Sequence, residues 1–310
     1  MPGLLDVILG YDCNLACDYC TITPAMRSRS LAPAAIVEAL REGRRLDYDR
    51  VAFTGGEPTI RADLLALIKA SSKLGYADIK LQSNGLLFTA ANVERLVAAG
   101  VTRFHVSIHT HEPAAYDALV RREHAHALME QGLRNVVASG QHVVVDVIVK
   151  HDTFRRLPDA IDWIAAREVP EIHVWYVSLT DGNASNVASL PAMSEAVPFI
   201  REAFARARAH GIDIKSLHVP RCLLGDDWQH AWDPGAQRVM VVTPEATFEL
   251  KQSRLAGQQQ VPACAGCRFE QLCPGVRPDY LARYGDGEIA AARDQAPTIT
   301  GAVRLPVISG

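Results

Sequence analysis

Three cysteines near the start of the chain constrain this sequence more than any other feature. In the segment YDCNLACDYC (residues 11–20), three residues separate Cys13 from Cys17 and two separate Cys17 from Cys20. No histidine occurs before His105, and the next cysteine lies some 200 residues further on. A structural zinc site would need a fourth Cys or His at short spacing. A [4Fe–4S] cluster held by three cysteines instead leaves one iron open to another ligand.

The composition is that of an ordinary soluble globular protein. Of the 310 residues, 48% are hydrophobic and 22% charged, which suits one large domain or two smaller ones. The net charge of −3 gives no electrostatic reason to expect nucleic acid or an anionic membrane, so we expect neither as a partner. No apolar run approaches the roughly 20 residues that span a bilayer.

The amino terminus does not have the pattern of a signal peptide. The stretch MPGLLDVILGYD carries no basic region before its apolar residues. We therefore expect a cytoplasmic protein, whose thiols stay reduced. In that compartment the seven cysteines favour metal binding, catalysis or simple burial over disulfide bonds.

Short apolar strands alternate with helical sequence in the first half of the chain. This alternation predicts a parallel sheet, and right-handed crossovers would curl it towards a barrel. Six units rather than the usual eight predict an α/β fold of the partial (β/α)6 TIM-like barrel type over residues 1–180. The predicted strands are 4–9, 50–54, 77–83, 102–108, 142–149 and 171–177.

The pattern changes near residue 178. A polar loop is followed by a predicted helix over 194–211 and then by short strand-like runs, two of which, RVMVVT and ATFEL, flank a hairpin turn. The stretch 262–275 is rich in cysteine and glycine, and the tail beyond about 290 is predicted to be loop or helix end. Residues 181–310 are therefore expected to form a small α+β extension that contains these cysteines.

The cysteine spacing directly after the first predicted strand resembles the radical S-adenosylmethionine (SAM) superfamily. Three further motifs at strand ends strengthen the resemblance: GGEP at 55–58, QSNG at 82–85 and FHVSIH at 104–109. The likeness covers roughly residues 5–178. It implies a [4Fe–4S] cluster whose open iron chelates SAM, and an electron that splits SAM into a 5′-deoxyadenosyl radical. That radical would abstract a hydrogen atom from the substrate.

The same resemblance implies which residues bind SAM. We expect the glycine pair to let backbone carbonyls approach the SAM ammonium group, because no Cβ stands in the way. An ordinary turn at SNG and a solvated lysine at the end of the fifth strand are the alternatives. The implied SAM-binding residues are Tyr19, Gly55, Gly56, Glu57, Pro58, Ser83, Asn84, Ser107 and Lys150.

Three residues are candidates for catalysis: His109, Asp146 and Tyr176. Many relatives carry Asp where this chain has His109, which strand alternation places on the same face as His105 and Ser107. His109 could position substrate or transfer a proton, and a hydrogen-bonded structural histidine is the alternative. By the same alternation Asp146 shares a face with Lys150, and His173 shares one with Trp175, with Tyr176 on the other side. Arg27 and Arg29 are assigned to a solvated loop, with contact to an anionic substrate as the alternative.

The four remaining cysteines form a second group near the carboxyl end. Cys222 is followed by Cys264, Cys267 and Cys273, the last three spaced C-x2-C-x5-C. Spacing alone fits a structural zinc site or a fully ligated [4Fe–4S] cluster, and buried thiols are a third alternative. The context resembles the SPASM and twitch extensions of radical SAM enzymes, which implies one auxiliary [4Fe–4S] cluster. The helical stretch 275–289 is expected to pack on this cluster loop.

The sequence leaves several functions open. We expect a radical SAM enzyme that oxidises a small molecule, passes an electron to the auxiliary cluster and takes electrons from a donor such as flavodoxin or ferredoxin. A redox-neutral reaction is an alternative. The predicted barrel begins near residue 4 with no leader-binding domain before it, which favours a small molecule over a ribosomally made peptide. A non-enzymatic metal or electron-transfer protein is the third alternative.

Overall fold

Ten strands form one sheet in the computed structural model, which describes residues 3–232, 237–252 and 257–293. The strands are β1 (Gly3–Ile8), β2 (Tyr48–Thr54), β3 (Asp78–Ser83), β4 (Arg103–Ser107), β5 (His142–Val149), β6 (Glu171–Tyr176), β7 (Asp213–Leu217), β8 (Ala231–Trp232), β9 (Val239–Val242) and β10 (Thr247–Glu249). The helices are α1 (Pro33–Arg45), α2 (Leu64–Lys73), α3 (Ala90–Ala99), α4 (Pro113–Val120), α5 (Ala125–Ala138), α6 (Leu157–Ala165), α7 (Met193–Ala209), α8 (Pro278–Tyr284) and α9 (Gly287–Arg293).

The sheet order follows the chain from β1 to β8, and each of these strands is parallel to its neighbour. All six predicted strands are present, with ends within two residues of the expected ones. The architecture is the partial barrel that the alternation predicts. On the other side of β1 lies β9, also parallel, and β10 pairs antiparallel with β9, which confirms the predicted hairpin.

The two faces of the sheet differ in polarity. Along β1, Leu5 and Val7 are buried in the core that contains the apolar sides of the helices, whereas the alternate residue Asp6 is only half-buried. Along β3, the half-buried Lys80 and Gln82 occupy the same inner face. Because side chains alternate across a strand, the barrel keeps a polar inner wall beside an apolar outer one. The polar wall leads to the strand ends where the predicted site lies.

The parallel sheet does not end at residue 180. Helix α7 packs against α6, and β7 then pairs with β6, so this stretch extends the barrel. The division at 180, predicted from the change of pattern near residue 178, therefore does not coincide with a break in the sheet. Residues 294–310, part of the predicted loop tail, lie outside the described residues. Within the described residues no helix is both long and apolar enough to cross a membrane.

Candidate active site

Cys13, Cys17 and Cys20 are partly buried in the loop that follows β1, here called the cysteine loop (residues 9–20). Arg27 stabilises this loop, because its guanidinium donates hydrogen bonds to the carbonyls of Cys13 at 3.0 Å and Leu15 at 2.8 Å. The expectation that Arg27 sits in a solvated loop is therefore wrong, because its charge is used to shape the cysteine loop.

Two thiols of this loop, those of Cys13 and Cys17, are protonated near pH 7 in the absence of a metal. Burial raises the pKa of Cys17 to about 12, and the neighbouring Cys20 and Cys13 add to the effect. Burial also raises the pKa of Cys13. A positively charged metal centre is what would hold such thiols as thiolates, so the environment suits the prosthetic group that the spacing implies.

The GGEP loop (residues 55–58) packs backbone to backbone on the cysteine loop. The N–H of Gly56 donates to the Gly10 carbonyl at 2.9 Å, and the N–H of Glu57 donates to the Asp12 carbonyl at 2.8 Å. A Cβ on Gly55 would lie 2.3 Å from the Gly10 oxygen, and one on Gly56 would lie 2.1 Å from the Asp12 oxygen. The directions that side chains would take at this glycine pair are therefore filled by the cysteine loop, so both positions require glycine. The approach of their carbonyls to the SAM ammonium group stays a prediction.

Glu57 joins the second and third strands at their carboxyl ends. Its buried carboxylate accepts hydrogen bonds from the Thr59 N–H and hydroxyl, from the Ser83 hydroxyl at 2.8 Å and from the Asn84 N–H at 2.8 Å. Burial raises the pKa of Glu57, although all four donors favour the charged form. The Ser83 hydroxyl also accepts a hydrogen bond from the Gly85 N–H, which stabilises the turn after β3. Pro58 is buried and begins the short 3-10 helix Pro58–Ile60.

Asn84 and Ser107 lie at the ends of β3 and β4, and their contact with SAM stays a prediction. The Asn84 side chain donates to the Asn14 side chain of the cysteine loop at 2.7 Å, next to Cys13 in the sequence. Ser107 ends β4 opposite Asp146 and is half-buried. The structure thus brings the third and fourth strand ends to the same side of the sheet as the cysteines.

Lys150 at the end of β5 also meets the cysteine loop. Its side chain is 3% exposed, and its ammonium lies 2.8 Å from Asp18 and 2.8 Å from Asp152. A solvated lysine is therefore excluded. Two of its three donors are used on carboxylates, and contact with SAM through the third stays a prediction.

Tyr19 and His109 form a pair beside the cysteines. The Tyr19 hydroxyl is hydrogen-bonded to His109 Nε2, and the two rings meet edge to face with centroids 4.8 Å apart. Burial lowers the pKa of His109 to about 3 and raises that of Tyr19 well above its usual value, so both are neutral near pH 7. In the part of the chain that the structure describes, the buried His109 Nδ1 has no hydrogen-bond partner. His109 stacks on Tyr116 with centroids 6.3 Å apart, which orients its ring.

Asp146 lies within β5, on the inner wall of the barrel, and not in the loops at the strand ends. Its carboxylate accepts from Trp175 Nε1 at 2.8 Å and lies 3.1 Å from His105 Nδ1. Burial alone would raise the pKa of Asp146, but the adjacent His105 and His173 hold it well below its usual range. Burial, together with the charge of Lys80, lowers the pKa of His105 to about 4. The structure therefore places Asp146 in a buried polar cluster.

Tyr176 and Arg29 do not reach this site. The Tyr176 hydroxyl donates to the Pro191 carbonyl at 2.9 Å in the core, because strand alternation turns it away from His173 and Trp175. The structure does not support Tyr176 as a catalytic residue. Arg29 pairs with Glu245 in the β9–β10 turn at 3.1 Å, so it joins distant parts of the chain.

The second cysteine group also converges in space. Cys222 follows β7, and together with Cys264, Cys267 and Cys273 it lines a cavity of about 370 Å³, open mouth included. Burial raises the pKa of Cys222 to about 12, and the three other cysteines add to the effect. Helix α9 closes one side, where Ile289 lines the cavity, as expected for the stretch 275–289.

Arg277 attaches this cysteine group to the barrel. It donates to the carbonyls of Tyr176 at 3.0 Å and Val177 at 2.9 Å and pairs with Asp279. Asp279 in turn accepts from the Leu179 N–H at 2.7 Å. The sequence did not predict the contacts of Asp18, Arg27 and Glu245. Asp18 and Glu245 pair with residues that are distant along the chain, and Arg27 binds backbone carbonyls, which sequence patterns do not reveal.

Neither cysteine group is as tight as a mononuclear site. Among the described residues, the set with three ligand atoms all within 4.8 Å of one another is His105, Asp146 and His173, with no cysteine in it. A tetrahedral zinc ion with Zn–S bonds of about 2.3 Å would hold its sulfurs about 3.8 Å apart. The open spacing of the cysteines suits a larger prosthetic group.

The comparisons with known proteins agree with this geometry. The profile of the Radical SAM superfamily matches residues 7–164. A protein of Sulfurisphaera tokodaii named "Probable GTP 3',8-cyclase" is 25% identical over 72% of this chain and 70% of its own length. One of the same name from Methanopyrus kandleri is 31% identical over half of each chain. Molybdenum cofactor biosynthesis protein 1 of Mus musculus is 28% identical over 64% of this chain but 32% of its own.

Solved structures with the same fold are more distant in sequence. SuiB of Streptococcus suis, bound to precursor peptide SuiA, aligns with a TM-score of 0.69 at 13% identity, covering 91% of this chain and 73% of that one. The protein anSMEcpe with bound AdoMet and a peptide aligns with a TM-score of 0.58 at 14% identity, covering 69% of this chain and 64% of that one. At these identities the likeness establishes the fold alone.

Proposed function

Because this chain belongs to the radical SAM superfamily, whose profile spans just over half of it, we propose that it abstracts hydrogen from a small polar molecule. In this family a [4Fe–4S] cluster with SAM supplies the 5′-deoxyadenosyl radical. Cys13, Cys17 and Cys20 would hold the cluster. The remaining polar contacts to SAM would come from the strand ends around Glu57, including Asn84, Ser107 and Lys150, with Tyr19 beside the adenine.

One observation carries this proposal. The GGEP loop is hydrogen-bonded to the backbone of the cysteine loop, and Glu57 ties it to Asn84, which itself contacts Asn14 between two of the cysteines. These contacts hold three strand ends around the thiols. Such ordering is what a site needs to hold a reactive group in place. A site that served only folding or electron relay would not require it.

The inner wall of the barrel supports a polar substrate. Lys80 and Gln82 of β3 and Ser107 of β4 are half-buried there. Several curated relatives are named GTP 3',8-cyclases, so GTP is the first compound to test. A peptide substrate is the alternative, and it would place this chain among maturases of ribosomally made precursors.

We also propose that the second cysteine group holds an auxiliary [4Fe–4S] cluster. The cavity bounded by Cys222, Cys264, Cys267 and Cys273 and the open spacing of the sulfurs support a cluster over a zinc ion. Four protein ligands would leave no open iron, so this cluster would accept an electron from the substrate radical. The net reaction would then be an oxidation, with the first cluster reduced by a donor such as flavodoxin or ferredoxin.

The test is anaerobic reconstitution followed by reduction with dithionite and addition of SAM. We expect about eight irons per chain and slow release of 5′-deoxyadenosine. Replacement of Cys13, Cys17 and Cys20 by Ala should leave about four irons and abolish release. A loaded protein that neither binds SAM nor yields 5′-deoxyadenosine under any tested substrate would contradict the proposal. About four irons together with tightly bound zinc would retain the radical reaction and reject the auxiliary cluster.

The substrate is tested separately with GTP, guanosine and a mixture of short peptides. GTP that stimulates 5′-deoxyadenosine release above the rate without substrate would support a small polar substrate. Stimulation by peptides alone would favour the maturase alternative. A Lys80→Met variant, with the exposed Lys73→Met as its control, shows whether the inner wall takes part, because only Lys80 lies on that wall.

A further inference from the structure

A second group of metal-binding side chains lies apart from both cysteine groups. His105 of β4, Asp146 of β5 and His173 of β6 come from three adjacent strands and are each at most 6% exposed. Their ligand atoms all lie within 4.8 Å of one another. The radical reaction proposed above assigns no role to this cluster, and none of its members contacts a cysteine in the described contacts.

The distances within the cluster suit ligands of a single ion. Two ligands bonded to one ion at about 2.0–2.1 Å lie about 3.0–3.4 Å apart in octahedral or tetrahedral geometry. Asp146 Oδ2 lies 3.1 Å from His105 Nδ1, and Asp146 Oδ1 lies 3.6 Å from His173 Nδ1. The second distance is too long for a good hydrogen bond. Because the two distances involve the two different oxygens of Asp146, a single ion would be bound by both oxygens, and a small inward movement of His173 brings its nitrogen into range.

The outer nitrogen of His173 is already held. Its Nε2 lies 2.9 Å from the Glu171 carboxylate, which leaves Nδ1 as the atom that faces Asp146. Burial alone would lower the pKa of His173, but the carboxylates of Asp146 and Glu171 raise it, so without a metal Nδ1 carries a proton that faces Asp146. A metal ion bound between the two atoms would displace that proton. This is the arrangement of metal-binding histidines, whose second nitrogen donates to a carboxylate.

Further contacts fix the ligands in place. Glu171 also receives Lys215 at 2.6 Å and His142 at 2.8 Å, so its position is set independently of His173. The Trp175 indole donates to Asp146 at 2.8 Å and fixes that carboxylate. Preset ligands of this kind lower the entropy cost of binding an ion.

We propose that His105, Asp146 and His173 form a mononuclear site for a divalent transition metal, Zn²⁺ or Fe²⁺. Two imidazoles and one carboxylate are ligands that both ions accept. Three protein ligands leave at least one coordination position, directed to the inner wall of the barrel. A water molecule or an oxygen or nitrogen atom of a polar substrate would occupy it. The site does not depend on the substrate proposed above.

The test is metal analysis of the fully reconstituted enzyme after exposure to Zn²⁺ and removal of loosely bound ions. Acid-labile sulfide gives the number of clusters, so metal beyond the cluster iron can be counted. We expect about one additional zinc per chain in the wild type, lost in Asp146→Asn and His105→Gln and retained in His151→Gln. His151 is exposed and outside the cluster, so it is a matched control.

X-ray absorption at the zinc edge of the wild-type protein identifies the ligands of the additional zinc, so this test does not depend on whether the variants fold. The proposal requires nitrogen and oxygen neighbours at about 2.0–2.1 Å with imidazole scattering. Sulfur neighbours at about 2.3 Å would mean that zinc occupies the cysteines, and would overturn it. A protein with no zinc beyond that in the iron–sulfur sites would also overturn the proposal. It would mean that His173 and Asp146 share a proton and bind no metal.

Discussion

The ammonium of Lys150 lies 2.8 Å from the carboxylate of Asp18, the residue that follows the second cysteine of the first group. This contact joins the end of β5 to the cysteine loop across 132 residues of sequence. Because the lysine side chain is 3% exposed and that of Asp18 is 28% exposed, water screens the pair only in part. The cysteine loop is thus anchored to the fifth strand as well as to the second.

Replacing Lys150 by Met should loosen the cysteine loop. The change leaves two carboxylates without their buried cation, and we expect a loss of about 1–3 kcal/mol in the free energy of unfolding together with faster loss of cluster iron. Denaturant titration and iron release to a chelator, both under anaerobic conditions, measure these effects. Lys73→Met on the exposed side of α2 is the control, and equal behaviour of the two variants would rule out the anchoring role.

Gly56→Ala should prevent the first cluster from assembling. A Cβ at this position would lie 2.1 Å from the Asp12 carbonyl oxygen, so the GGEP loop and the cysteine loop must move apart. We expect an iron content of about four per chain and no measurable SAM binding, with a stability loss of about 1–3 kcal/mol. Among the described residues no atom lies within 4 Å of a Cβ at Gly287, so Gly287→Ala should retain full iron. A loaded Gly56→Ala protein would show that the close approach is dispensable.

His109 should make the protein less stable in mild acid. Its pKa in the folded chain is about 3, against 6.5 without the burial. Below pH 6.5 the unfolded chain binds a proton at this histidine and the folded chain does not, so stability falls as the pH falls towards 3. Between pH 6.5 and about 5 the wild type should lose about 2 kcal/mol more than His109→Gln. The glutamine keeps a polar contact with Tyr19 but cannot titrate.

This comparison is made by denaturant unfolding of the cluster-loaded protein at several pH values. Other groups titrate equally in both proteins and cancel in the difference. If the free energy of unfolding changes with pH by the same amount in both proteins, His109 is solvated or charged in the folded state.

Arg277→Met should release the second cysteine group from the barrel while leaving the first intact. The change removes two hydrogen bonds to the end of β6 and leaves Asp279 without its cation. We expect a loss of about 2–4 kcal/mol and retention of about four irons, with SAM cleavage preserved. Iron analysis and 5′-deoxyadenosine release test this. The exposed Arg283→Met is the control, and full iron in Arg277→Met would mean that other contacts hold the segment.

Local patterns in the sequence predict the strands, most helices and the two cysteine groups. Strand alternation correctly turns Tyr176 away from His173 and Trp175, because period-2 placement is a local property. The contacts that shape the site are not local. Nothing near Lys150 in the sequence indicates Asp18, and nothing near Arg29 indicates Glu245. The close packing of the glycine pair was also not predicted, because the Cβ directions depend on a loop more than 40 residues away.

The second parallel neighbour of β1 escaped prediction for the same reason. RVMVVT reads as a strand, but its pairing with β1 joins residues about 235 positions apart, and hydrophobic pattern alone does not specify a partner. Likewise α7 and β7 read as part of an extension, although they continue the barrel, since helix and strand signals say nothing about which sheet receives them.

That pairing has a consequence for biosynthesis. Until β9 emerges from the ribosome, β1 has a partner on one side only, and its other edge carries free N–H and C=O groups. At about 5–20 residues per second, roughly 10–50 s pass between the two strands. During that time the nascent chain presents an unpaired edge next to three uncoordinated thiols. Chaperone capture or slow cluster insertion in this interval would govern the yield of active protein, and a chain truncated before residue 239 would keep the exposed edge permanently.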